Sequence, residues 1–475
     1  MSHTGRAQLL VASNRGPLTI HAGPDGDDEV SRGGGGLVSG MQSALAATPD
    51  AVWVCAALNG RERAIARQTA GHISELRIVD EALQGDFDVH MLPIDAATFR
   101  GAYDGIANST LWFVLHQLYD LSQAPAFDAS WRRQWAAYVR YNEAFAHALA
   151  REAAPGAAVM VQDYHLFLVP AMLRELRPDL RIGHFTHTPW VTPEYFSTLP
   201  DDICVALVEG LAAADVIGLH TERWVELFRA TARHVLGREL ETVHAFPLGT
   251  DSGEMTKLAG RRDVVNASRV LDGVVGDALV IGRVDRTELS KNVVRGLLAY
   301  RELLRTRPEW RGRVVHAVYD NPSREDLPAY REYTASIERL ASAIDDEFAT
   351  DDWSPVLVEI VDDYPAALAA LLRSDVVLIN SVRDGMNLVV LEALTISDRS
   401  PAIVLSRETG AAEVLGDDAL LVNPFDVSAT AHALHDALLM ELDERVARAE
   451  RMRAAAVRLP PTEWFQAQLA ALPPG

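Results

Sequence analysis

The segment ALVIGRVDRTELSKN, residues 278–292, decides the architecture. Its first half, Ala278–Val284, is a short apolar run, continuous rather than alternating apart from Arg283. Runs of this kind mark strands buried on both faces of a parallel sheet. Its second half is polar and charged and leads into a helical stretch, 291–305. There Val294, Leu297, Leu298, Tyr300 and Leu304 fall mostly on one face. The same rhythm recurs in both directions along the chain. Further strand candidates are Gln8–Ser13, Ala51–Ala56, Ala157–Gln162, Arg181–Thr186, Val216–Leu219, Arg313–Val318, Val356–Val361 and Asp375–Asn380. Between the last of these lies a second amphipathic stretch, Thr334–Phe348, with Ile337, Leu340, Ile344 and Phe348 in helical register. Strands alternating with helices predict a doubly wound α/β architecture.

A chain of 475 residues is too long for one such unit. The rhythm weakens between 250 and 277, where the sequence turns polar, and this stretch reads as a link between two α/β domains. After Pro460-Pro461, the stretch TEWFQAQLAAL reads as a helix restarting after a break. The segment Gly23–Gly36 is rich in glycine and charge and reads as a loop.

Lys and Arg total 44 against 66 Asp and Glu, a net charge of −22. That balance argues against a protein built to coat nucleic acid or anionic lipid. Two cysteines, Cys55 and Cys204, cannot form a disulfide framework. No apolar run approaches the roughly 18–20 residues of a membrane helix, and the N-terminal apolar run is too short for the core of a signal peptide. The expectation is a cytoplasmic protein without membrane or nucleic-acid partners. These features are compatible with a homo-oligomer.

In open α/β sheets ligands bind beyond the carboxyl ends of the strands, so the residues that follow each run carry the chemistry. After the first run come Ser13-Asn14-Arg15-Gly16-Pro17 and, further on, Arg32-Gly33-Gly34-Gly35-Gly36 ahead of a helix expected near Val38. Glycines before a helix start free backbone N–H groups for a phosphate. After Gln162 comes Asp163-Tyr164-His165, and after Arg181–Thr186 come His187-Thr188-Pro189-Trp190. These place a carboxylate and imidazoles at neighbouring strand ends, with His165 and His184 read as structural. Arg286, Lys291 and Arg324 follow two further strands, and cations there suit phosphate ligands. Last comes Arg383-Asp384-Gly385-Met386-Asn387-Leu388-Val389-Val390-Leu391-Glu392. Gly385 permits close backbone approach, a helix starting near Asn387 offers N–H groups, and Glu392 lies one turn in, where it is able to accept from ribose hydroxyls.

Taken in order, ASNRGP, GGGGL, DYHL, HFTHTPW, ADVIGLHT, FPLG, DRTELSK, PSRED, RDGMNLVVLEA and VNPFD resemble the retaining glycosyltransferases that make trehalose 6-phosphate. The resemblance implies a GT-B fold: two Rossmann-like doubly wound domains facing a cleft, 1–253 for the acceptor and 254–457 for the nucleotide sugar. A C-terminal helix, 458–475, packs back on the first domain. It implies transfer of glucose from UDP- or GDP-glucose to glucose 6-phosphate by front-face attack, with the leaving phosphate assisting.

The same resemblance assigns Gly36, Arg286, Lys291, Asp384, Gly385, Met386, Asn387, Leu388, Val389 and Glu392 to the donor. It assigns Arg15, Tyr103, Trp112, Asp163 and Arg324 to the acceptor. Asp163, His187, Arg286, Lys291 and Asp384 are the expected catalytic groups. Three positions depart from the family pattern: Ala56 stands for a tryptophan, Gln162 for a histidine and Leu289 for a tyrosine. A related branch that couples a nucleotide-linked cyclitol to a phosphorylated cyclitol is the alternative. No cofactor is implied. The pairs Asp25-Gly26-Asp27 and Asp86-Phe87-Asp88 have the form of a metal-binding Asp-x-Asp, but neither stands at an expected strand end. No essential metal is expected.

Overall fold

The computed structural model describes residues 7–23, 27–32, 38, 41, 45, 48, 50–74 and 87–474. The chain forms two compact units, 1–248 with 461–475, and 249–460.

In the first unit the strands are β1 (Ala7–Ser13), β2 (Leu18–Ala22), β3 (Asp28–Arg32), β4 (Ala51–Ala56), β5 (Phe87–Leu92), β6 (Ala153–Gln162), β7 (Arg181–Phe185), β8 (Val216–Leu219) and β9 (Val243–Ala245). Seven of them form one sheet in the order β5-β4-β1-β6-β7-β8-β9. Its pairings are parallel throughout. The order reverses direction between β1 and β6, which makes their carboxyl ends the topological switch point. The apolar runs explain why the sheet is central: β4 is buried at all six positions, and helices cover it. One of them is the long helix Ala129–Glu152, capped by Asp128, whose carboxylate accepts from the Trp131 N–H.

The second unit holds β10 (Leu279–Arg286), β11 (Val314–Asn321), β12 (Val356–Ile360), β13 (Val376–Ile379), β14 (Ala402–Ser406) and β15 (Leu420–Val422). Their order is β12-β11-β10-β13-β14-β15, again all parallel. The switch point here lies between β10 and β13. Both units thus carry the Rossmann order that the resemblance implies, on the doubly wound architecture that the strand–helix rhythm predicts.

Several local readings are corrected. The polar stretch 250–277 is not a linker: it contains the helices Ser252–Ala259 and Arg262–Val275. The Gly-rich segment contains a strand, since β3 pairs antiparallel with β2 from Asp28 to Arg32; residues 24–26 and 33–37 lie outside the described residues, and so do most neighbours of Val38. Phe87–Leu92 is a strand that the sequence reading did not list, and Asp88 is its second residue. Asp25 and Asp86 lie outside the described residues. The final helix, Pro461–Ala471, belongs to the first unit, where Trp464 meets the Phe185 ring edge-on at 4.9 Å. Both cysteines are buried and free. Among the described residues no helix is long and apolar enough to cross a membrane.

Candidate active site

In the second unit the chemistry gathers at the β10–β13 switch point. Beyond β10 the chain makes one tight turn, Leu289–Lys291, and enters the helix Val293–Thr306 through Asn292, whose φ is +63°. The Asn292 side chain donates to the carbonyls of Asn380 and Pro424, each at 2.8 Å. That lock fixes the turn beside the end of β13 and sets the position of Lys291. The Lys291 ammonium reaches Asp384 Oδ2 at 2.8 Å and Asp285 Oδ1 at 3.2 Å. Burial pulls its pKa down, but Asp384 and Asp285 outweigh burial and hold it above the ordinary value. The lysine therefore carries a full positive charge in a sheltered place.

Beneath it Arg283 and Asp285, both fully buried, pair at 2.9 Å. Arg283 also donates to Asn380 and to the Lys291 carbonyl. On the next strand Asp320 is buried, and desolvation together with Asp285, opposed by Arg283 and Lys291, pushes its carboxyl up to about 7. The turn after β10 holds a second pair: Glu288, fully buried, bonds Arg286 at 2.9 Å and lies 3.6 Å from Arg324. Ser323 donates to the same carboxylate at 3.1 Å. Arg324 sits at φ +50° and donates to the Tyr330 hydroxyl at 2.5 Å. The guanidinium of Arg286 is more than half exposed, so one face of it is presented to solvent.

The segment after β13 is held as a template for backbone contacts. Asp384 N–H bonds the Glu408 carbonyl, Gly410 N–H bonds the Asp384 carbonyl and Ala411 N–H bonds the Met386 carbonyl, at 2.8–3.2 Å. A Cβ on Gly410 would stand 2.1 Å from the Gly385 carbonyl oxygen, so only glycine fits there. Asn387, at φ +73°, caps the helix Leu388–Ile396 by accepting from Val390 N–H, while its amide donates to Asp384 at 3.1 Å. Glu392 lies in that helix, half-buried, and burial lifts its carboxyl to about 7 against the pull of Lys291. The structure thus brings together Lys291, Asp384 and Asn387 by direct contact, and Arg286 with Arg324 through Glu288.

In the first unit the carboxyl ends of β1 and β6 carry the other set. Arg15 follows β1, exposed, 3.5 Å from the Tyr103 hydroxyl. Tyr103 stacks on Phe99 and on His165, with ring centroids 5.1 and 5.6 Å away. Trp112 is buried and stacks on His116 at 3.8 Å. Asp163 follows β6 at φ +70°, a left-handed conformation that costs a non-glycine residue about 1–3 kcal/mol. Its Oδ1 accepts from the His187 backbone N–H at 3.1 Å, and Oδ2 stands 3.9 Å from His165 Nδ1. The His187 ring contacts Gln162 Oε1 through Nε2 at 3.0 Å. Burial, with His220 and His184 nearby, keeps this imidazole well below its ordinary pKa and hence neutral at pH 7. His184, expected to be structural, is buried, and burial lowers its pKa to about 3. Gly36 lies outside the described residues. Arg324 belongs to the second unit, whereas Arg15, Tyr103, Trp112 and Asp163 belong to the first.

Reading the sequence missed the buried carboxylates Asp285, Glu288 and Asp320, which position the cations. Their signal is visible in hindsight: acids at the carboxyl end of a strand otherwise buried on both faces. It also missed Trp464, whose ring lies 5.7 Å from that of His187; no local pattern joins residues so far apart.

Residues 7–473 match the model of glycosyltransferase family 20. A trehalose-6-phosphate synthase of Mycobacterium avium is 32% identical over 98% of this chain and 96% of its own length. A bifunctional trehalose-6-phosphate synthase/phosphatase of Thermoproteus tenax is 33% identical over 94% of this chain, which spans 61% of that longer protein. Among solved structures, an alpha,alpha-trehalose-phosphate synthase (UDP-forming) of Burkholderia xenovorans in complex with glucose-6-phosphate superposes with a TM-score of 0.81. It is 26% identical, over 98% of this chain and 99% of the other. The E. coli protein bound with UDP-2-fluoro glucose gives 0.82 and 26%, over 97% and 98%. The chain belongs to glycosyltransferase family 20 and is a glycosyltransferase.

Proposed function

We propose that the enzyme moves glucose, with retention, from UDP-glucose to the anomeric hydroxyl of glucose 6-phosphate, releasing UDP and trehalose 6-phosphate. The observation that carries this reading is the charged Lys291, sheltered at the β10–β13 switch point between Asp285 and Asp384. Transfer from a nucleotide sugar passes through an oxocarbenium-like state while negative charge grows on the diphosphate. Such a reaction needs fixed cations more than it needs a nucleophile. Lys291 and the exposed fork of Arg286 fill that role, and the N-terminus of the helix Leu388–Ile396 adds oriented N–H groups. Gly36 is assigned beside the donor phosphate. Asp384, already fixed by Lys291 and Asn387, holds donor-sugar hydroxyls, with the backbone of Gly385, Met386, Leu388 and Val389 alongside. Glu392 accepts from the ribose.

For the acceptor, Arg15, Tyr103 and Arg324 bind the phosphate, and Trp112 flanks the sugar. Asp163 and the neutral His187 orient the hydroxyl groups around the transferring glucose. The proton of the attacking hydroxyl passes to the leaving phosphate. Supporting this reading, the M. avium relative is named for this synthesis, and the two structural relatives were solved with a hexose phosphate and a UDP-sugar. Because the cations are protein side chains, transfer is expected to proceed in EDTA.

The test is a donor panel on purified protein, with glucose 6-phosphate as acceptor, UDP-, GDP- and ADP-glucose as donors, and EDTA present. A phosphorylated disaccharide from UDP-glucose is expected. Product only from GDP-glucose would change the donor assignment, and no product from any of them would move the weight to cyclitol coupling.

Arg324→Ala should weaken acceptor binding by roughly 1.5–3 kcal/mol, the worth of one charged hydrogen bond, and leave UDP affinity nearly unchanged. Isothermal titration of each ligand separates the two, and a fall in UDP affinity alone would remove Arg324 from the acceptor. Glu392 makes donor affinity depend on pH. A carboxyl near 7 is mostly ionised at pH 8 and mostly neutral at pH 6, so the fraction in the charged, better-accepting form falls about tenfold across that interval. UDP-glucose, whose diphosphate does not titrate there, should bind up to about tenfold more weakly at pH 6. Glu392→Gln should flatten the profile; a slope that survives in the variant would point to Asp320 instead.

A further inference from the structure

The first unit carries a cluster that the transfer reaction does not use. Residues after the helix Gly60–Gln68 return along the edge strand β5 as an antiparallel bridge between His72 and His90. Ile73 N–H bonds the Val89 carbonyl at 3.1 Å and Met91 N–H bonds the Gly71 carbonyl at 2.8 Å. That pattern makes His72 and His90 a non-hydrogen-bonded pair, the kind whose side chains stand closest. Their rings lie 4.7 Å apart. Gly71, at φ +96°, permits the approach: a Cβ there would stand 2.5 Å from His90 Nε2. Glu152, the last residue of the helix Ala129–Glu152, points its Oε1 at both rings, 3.0 Å from His90 Nδ1 and 3.8 Å from His72 Nε2.

Two features set this group apart from an ordinary ion-pair cluster. The side chain of His90 is only 6% exposed, and its Nδ1 faces the carboxylate without the alignment of a hydrogen bond. The other nitrogen of His72, Nδ1, lies 2.7 Å from Asp88 Oδ2, and Ser74 donates to the same carboxylate. A carboxylate on Nδ1 favours the tautomer protonated there, and Nε2 faces Glu152 Oε1 at 3.8 Å. This is the carboxylate–histidine–metal arrangement. One atom from each of His72, His90 and Glu152 lies within 4.8 Å of the others. Tetrahedral zinc, with bonds of about 2.0–2.1 Å to nitrogen and oxygen, sets ligand edges of about 3.3 Å, a length between the two nitrogen–oxygen distances of 3.0 and 3.8 Å here.

We propose that His72 Nε2, His90 Nδ1 and Glu152 Oε1 bind one divalent transition-metal ion, zinc by its ligand set, with Asp88 holding His72 in place and water completing the shell. Two imidazoles and one carboxylate suit zinc rather than magnesium or calcium. Glu152 adjoins Ala153, which pairs with Ala7 at the start of β1, whereas Arg15 follows the other end of that strand. The ion therefore sits at the amino-terminal end of the sheet, away from the acceptor residues, and its work is to tie the edge segment 71–74 and β5 to the end of the long helix.

The test is zinc titration of chelator-stripped full-length protein against a competing indicator. The wild type is compared with His72→Gln, His90→Gln, Glu152→Gln and Asp88→Asn. One zinc ion per chain is expected in the wild type, with affinity lost in the three ligand variants. A weakening of about 10–100-fold is expected in Asp88→Asn, as for other partners that orient a ligand. Zinc should raise the unfolding temperature of the wild type but not of the ligand variants, and transferase activity should persist in EDTA. Should the variants fail to fold, zinc X-ray absorption on the loaded wild type decides: a shell with two imidazoles supports the site, and a shell with one or none overturns it. Zinc uptake by the wild type equal to that of the folded variants also overturns it.

Discussion

Lys291→Ala is expected to lower kcat by about 10²–10³, the cost of removing one fixed group that stabilises charge growing in a transition state. The loss should exceed any change in KM for glucose 6-phosphate, because the ammonium matters most as the diphosphate departs. Its position supports so large an effect: Lys291 is locked by the Asn292 turn and pinned between Asp384 at 2.8 Å and Asp285 at 3.2 Å. It would not have to reorganise as the reaction proceeds. Steady-state kinetics with both substrates varied measure the split, and circular dichroism checks that the fold survives. An unchanged kcat would take the lysine out of the leaving-group role.

The second large effect is on stability. Arg283→Met should destabilise the second unit by about 3–5 kcal/mol, since removing one partner of a buried pair leaves the other charge uncompensated. Asp285 would keep only Lys291, and Asn380 would lose its donor. For a unit of this size, 2–4 °C per kcal/mol puts the expected fall in Tm on the order of 10 °C. Differential scanning calorimetry measures it. A shift below about 2 °C would mean that Lys291 alone neutralises Asp285.

The fold was legible because its strands are short apolar runs that end in polar, chemically distinctive turns. β4 and β8 were located to the residue, and β10 and β13 to within two. What escaped has physical causes. β9 and β15 have only three residues each, too few for any period. The helix Arg262–Val275 buries Val264, Leu271 and Val275 but leaves Val265, Val270 and Val274 facing water. Apolar residues on both sides blur its periodicity, so it read as a polar link. The candidate site was legible to the extent that its residues stand at strand ends: Arg15, Asp163 and Asp384 follow strands, and Arg286 closes β10. The carboxylates that set the charge and posture of those cations stand next to last in β10 and β11 and in the turn after β10. Their role depends on burial, which a sequence does not print. Nor did any spacing join His72, His90 and Glu152, which meet only because an edge segment folds back beside β5.

The strip Glu408–Ala411 bears on how this enzyme could be re-engineered. The segment 384–386, which we propose meets the donor, does not hold its own shape; it is cast against that strip, down to a glycine at 410 that no other residue can replace. A loop transplanted from a relative with a different nucleotide preference would thus arrive without its mould. The exchangeable cassette is the whole of 383–411, and chimaeras cut more narrowly should lose the backbone geometry before they gain a new specificity.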